Sequence, residues 1–109
     1  MTKEDMAEVM EHIFQDCHEL RDKAHHEYAG GEDALGNFKR LGALLDLPPE
    51  KVLMVYAVKH LDGILAYIRG HRSQREPVEG RIRDFIVYMT LLEGLNKEKA
   101  RKQYESNTQ

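Results

Sequence analysis

Apolar residues recur at helical spacing along almost the whole chain, and nowhere does a period of two persist over a strand length. The first amphipathic stretch runs from about residue 3 to residue 27. At 100° per residue, Met6, Val9, Met10, Ile13, Cys17, Leu20 and Ala24 share one side. Glu8, Glu11, Gln15, Glu19, Asp22 and His26 share the other. Thr2 and Asp5 form a capping pair at its start, and Ala29-Gly30-Gly31 supplies the left-handed conformations that stop it near Tyr28. A second helix is predicted over about 32–45, with Leu35, Phe38, Leu41, Leu44 and Leu45 as its apolar residues. Pro48-Pro49 opens a third, about 49–70, which is apolar on most of its circumference and therefore reads as central. The polar run from Gly70 to Glu76 is a turn. A fourth, broadly apolar helix follows over about 77–95, and Asn96 caps a short polar helix that frays at the end.

This pattern predicts an all-α protein: one four-helix bundle-like domain over 1–96, with a polar C-terminal helix or tail over 97–109. At 109 residues the chain builds one core, and a thin one. Two broadly apolar helices exceed what so short a chain can cover, so a homodimer burying parts of the third and fourth helices is expected, with a loosely packed monomer as the alternative.

Composition narrows the class. Hydrophobic residues make up 41% and charged residues 32%, the balance of a soluble globular chain rather than a disordered one. No apolar run approaches the roughly 18 residues of a membrane span, so no membrane partner is expected. The start, MTKEDMAEVM, is acidic where a secretory signal would be basic and then apolar. A single cysteine, Cys17, excludes an internal disulfide framework and a multi-cysteine zinc site, which favours a reducing, cytoplasmic setting.

The net charge of -3 conceals two poles. Residues 1–28 carry eight acids against Lys3, Arg21 and Lys23, whereas residues 69–83 carry five arginines against Glu76 and Glu79. The arginines could meet phosphate. They lack interleaved aromatics, and the helix after Pro48-Pro49 is too apolar for a recognition helix, so DNA binding is not expected.

Few residues carry candidate chemistry. Asp84 falls among Tyr88, Leu91 and Leu95 in the apolar sector of the fourth helix, where a carboxylate must find a cation, a hydrogen-bond donor or a proton. Lys59 and Asp62 flank small residues, Gly63 and Ala66, that let another helix approach; the alternative is a surface ion pair. Glu19 and Asp22 stand three apart on one helical face, a spacing that lets two carboxylates share Mg2+, although any acidic helix shows it by chance. No helical i,i+4 histidine pair, HExxH, GxSxG, P-loop or GxGxxG occurs.

Three segments carry a resemblance: Glu27-Tyr28-Ala29-Gly30-Gly31 running on to Asn37-Phe38, then Lys59-His60-Leu61-Asp62, then Gly80-Arg81-Ile82-Arg83-Asp84 with Tyr88. Together, over about 19–95, the chain resembles small phage and prophage proteins of a nucleotide-modification-associated domain group. That group is distantly similar to the MazG-type all-α nucleotide pyrophosphatases, which bind Mg2+ through paired acids on two helices. The resemblance implies Mg2+ at Glu19, Asp22 and Asp84, the same three as catalytic residues, and a nucleotide met by Lys59, Asp62 and Arg83. It also implies a bacterial host cytoplasm. One position departs: three before Asp84 stands Arg81, not an acid. The resemblance therefore predicts a protein that handles or binds nucleotides, in the manner of a Mg-dependent pyrophosphohydrolase. The other reading is a non-catalytic helical interaction protein that binds a host or phage protein through its helix faces.

Overall fold

The computed structural model describes residues 1–24, 32–72 and 76–108. They form four helices, α1 (Lys3–Ala24), α2 (Gly36–Leu45), α3 (Pro49–Ile68) and α4 (Val78–Thr108), with no strand among the described residues. The expected stop of α1 at Gly30-Gly31 lies outside these residues, as do His25, His26 and the first segment of the resemblance up to Gly31.

The caps explain most boundaries. Thr2 and Asp5 exchange reciprocal bonds at the head of α1: each backbone N–H donates to the other's side chain at 3.1 Å. α2 begins later than the apolar spacing suggests. The Asp33 carboxylate accepts the Leu35 N–H at 2.9 Å and its carbonyl accepts the Gly36 N–H at 3.1 Å, so the approach is a turn. Pro48, extended, leads Pro49 into α3. That helix ends where Gly70 takes φ +94°, a conformation that costs a glycine nothing. α4 corrects the expected break at Asn96: it runs unbroken for 31 residues, with no separate C-terminal helix. Leu95, just before Asn96, is buried in the core, and Glu98, just after it, binds Lys39 of α2 at 2.7 Å. Tertiary contacts on both sides outweigh one residue's preference for a cap.

The core joins Leu35 and Phe38 to Val52 and Leu53 of α3 and Leu95 of α4, with Tyr88, Leu91 and Leu92 packed against it. Leu53 is fully enclosed. A ring ladder extends this core along α3. Phe38 meets Tyr56 and Tyr88 edge-on, Tyr56 and Tyr88 stack at 6.1 Å, and His60 stacks on Tyr88 at 5.6 Å.

α3 and α4 together form the spine: α3 packs on α4 and α2, α4 packs on α3 and α1, and α1 packs on α4 alone. The result is open and long, 53 × 34 × 25 Å. Its radius of gyration is 16.5 Å, against about 13 Å for a compact chain of this length. No helix is long and apolar enough to cross a membrane.

Candidate functional site

The first turns of α4 face the middle of α3. Pro77 starts α4 with its fixed φ, which leaves Glu76 on the approach and brings Arg81 and Asp84 round towards α3. On α3, His60 is held by its stack on Tyr88 and directs Nδ1 to Asp84 Oδ2 at 3.6 Å, beyond hydrogen-bond length. That nitrogen is buried and has no hydrogen-bond partner. The Arg81 side chain lies over Gly63, where a Cβ would fall on it; its Nη2 stops 4.0 Å from Glu76, and its Nε is buried without a partner. One donor atom each from His60, Glu76 and Asp84 lies within 4.8 Å of the others. Burial pushes the Asp84 carboxyl above its ordinary value, His60 opposes that rise, and a hydrogen bond with Glu76 adds to it.

The residues singled out in the sequence do not gather. Glu19 is exposed and accepts the Gln15 side-chain amide at 3.2 Å, and Asp22 is exposed beside Arg21 at 3.7 Å. Neither joins the cluster around Asp84. Lys59 and Asp62 are exposed on α3 and form no ion pair among the described residues. Arg83 is already engaged. Its Nε binds Asp16 at 2.6 Å and its Nη1 donates to the Glu79 carbonyl at 3.1 Å, so it fastens α1 to α4. The acids do not fit the Mg2+ set that the resemblance implies, because Glu19 and Asp22 are not brought to Asp84.

His60, read from its place at the edge of the apolar face as a core or interface histidine, Glu76 and Asp16 are the residues to which sequence reasoning gave no site role. His60 and Glu76 come from different elements, and only the packing of α3 on α4 unites them. Asp16 carried a signal: on the wheel it falls beside Ile13 and Leu20, on the flank that faces α4.

A second feature lies on the other side of α4. A cavity of about 490 Å³ opens between α1 and α4, lined by Phe14, Cys17, Leu35, Ile86, Val87 and Leu91 among others. Burial raises the pKa of the Cys17 thiol, which also donates a weak bond to the Arg83 carbonyl at 3.6 Å. Met6, Met10 and Phe14 continue this apolar lining along α1, each 44–50% exposed. No protein-family model, curated protein or solved structure matches the chain.

Proposed function

We propose that this chain is a non-catalytic helical interaction protein whose partner is a second copy of itself, docked along α1 and the groove between α1 and α4. The observation that carries this reading is surface. The chain exposes 8670 Å², whereas a folded monomer of its mass exposes about 6,200 Å². The difference, about 2,400 Å², exceeds the roughly 800 Å² that each partner contributes to a standard interface.

The excess is apolar where it matters. Met6, Met10 and Phe14 form a stripe at successive i,i+4 positions beside the groove; Glu8 and Glu19 lie on the opposite side of α1, and Glu11, one turn from Phe14, borders the stripe where the rim of an interface would lie. The outer face of α3 offers Val55, Val58 and Leu65, but Lys51, Lys59 and Asp62 interrupt it, the mark of a solvated face. α1 also has the stronger need. It contacts α4 alone, and Cys17 is its one buried residue.

Light scattering on the full chain across a concentration series tests this. The expected result is a dimer that Met10→Glu with Phe14→Glu converts to monomer, while Val55→Glu leaves it intact. A wild-type chain that stays monomeric at hundreds of micromolar, or a dimer indifferent to the α1 pair, would refute the reading. The nucleotide-handling alternative predicts that nucleoside triphosphates with Mg2+ release pyrophosphate and that Asp84→Ala abolishes it; the separation of Glu19, Asp22 and Asp84 weighs against that outcome.

A further inference from the structure

We infer that His60, Glu76 and Asp84 bind one divalent transition-metal ion of the zinc class, a site that shares no residue with the α1 stripe and does not depend on it.

Two facts of the geometry call for a cation. One carboxyl oxygen of Glu76 and one of Asp84 lie within 4.8 Å of each other, and two carboxylates that close favour a proton or a positive charge between them. Facing them is the buried, unpartnered Nδ1 of His60, 3.6 Å from Asp84 Oδ2. Two ligands held at about 2.1 Å by a tetrahedral ion are about 3.4 Å apart, so the His60–Asp84 spacing suits an ion between them better than it suits a direct bond.

Arg81 does not already occupy this place. Its closest approach to Glu76 is 4.0 Å, and its Nε makes no bond.

The donor set selects the metal. Imidazole favours zinc and its neighbours in the first transition row, and carboxylates complete such sites, whereas Mg2+ prefers oxygen alone and keeps most of its water. The neighbouring residues supply the support that metal histidines need. Tyr88 stacks on the ring and fixes its plane, and Gly63 leaves space for the Arg81 arm that closes one side.

The test is calorimetric titration of the chelator-treated full chain with ZnSO4 at neutral pH, with MgCl2 in a parallel series. Expected is one saturable Zn2+ per chain, weakened at least about tenfold by His60→Gln, by Asp84→Asn and by Glu76→Gln. Replacing the exposed His12 and His18 by Gln together should leave the affinity unchanged. Helix content by circular dichroism accompanies each variant. Glu76 precedes α4 and is the most exposed of the three side chains, so it carries the test if either of the others unfolds. No saturable Zn2+ uptake, an affinity indifferent to Glu76→Gln, loss only with His12 and His18, or saturation by Mg2+ in place of Zn2+ would overturn the assignment.

Discussion

Replacing Gly42 by alanine sets two effects of similar size against each other, and the structure says which wins. In the middle of a helix, alanine is more favourable than glycine by about 1 kcal/mol. At Gly42, however, the added Cβ would stand 2.6 Å from the Leu47 carbonyl oxygen and 3.4 Å from the Pro49 nitrogen. Both are backbone atoms that cannot rotate away. The turn has no slack: the Leu47 N–H donates to the Gly42 carbonyl at 2.9 Å, the Asp46 N–H donates to the same oxygen, and Asp46 already takes φ 57°. Reaching ordinary contact requires the α2–α3 turn to open by nearly 1 Å, an overpacking cost of about 1–3 kcal/mol. Weakening the two turn hydrogen bonds adds about 1 kcal/mol. Less the gain in propensity, the net loss is about 1–3 kcal/mol, or about 5–15 °C in Tm. Gly94 is the internal control. A Cβ there meets only the Leu35 methyl groups at 3.9 Å, so Gly94→Ala keeps the helical gain and stabilises by about 0.5–1 kcal/mol. Urea unfolding at one fixed protein concentration measures both, because self-association would otherwise shift the midpoint. If the two substitutions move stability in the same direction, the reading of the α2–α3 turn is wrong.

Three further outcomes follow from the side chains that tie the helices together. Lys39 Nζ lies 2.7 Å from both Asp33 and Glu98, and it holds both carboxyls below their ordinary values of 3.8 and 4.5. Their contribution is therefore complete above those values and is lost as pH falls through the lower folded pKa values. Lys39→Met should cost about 0.5–1 kcal/mol at pH 7, and the gap from wild type should close in acid; denaturation series at several pH values would show a constant gap if the bridge is irrelevant. Asp16→Ala removes the anchor of Arg83, so amide hydrogen exchange in α1 should quicken about fivefold, for a loss near 1 kcal/mol, while exchange around Leu53 is unchanged. Cys17, buried and with its thiol pKa raised, should react with a thiol-specific reagent far more slowly in the native chain than in urea, and faster in the Met10→Glu, Phe14→Glu variant than in wild type.

What was readable in advance follows the reach of each interaction. The helical class, the Thr2–Asp5 capping pair and the turn at Pro48-Pro49 depend on residues within about one helical turn, and apolar spacing exposes them directly. The start of α2 depends on a side-chain bond from Asp33 that competes with helix geometry, and periodicity does not weigh that competition. The continuation of α4 past Asn96 depends on Leu95 and Glu98 meeting residues some sixty positions earlier, contacts that no local window contains. The candidate site divides in the same way. That Asp84 needed compensation was legible, because its place on the wheel put a charge among apolar side chains. What compensates it was not, because His60 comes from another helix and Glu76 from beyond the helical pattern. Small residues in α3 rightly signalled a close approach, yet what approaches at Gly63 is the Arg81 arm and not a helix backbone. The acidic face of α1 misled for the opposite reason: its spacing is that of a ligand pair, but a surface helix acquires the same spacing merely by being charged on one side. One residue on the inner flank, Asp16, did the joining instead. The surface of α1 is divided accordingly, with Glu8 and Glu19 turned to water and the half-exposed Met6 and Met10 lying beside the groove.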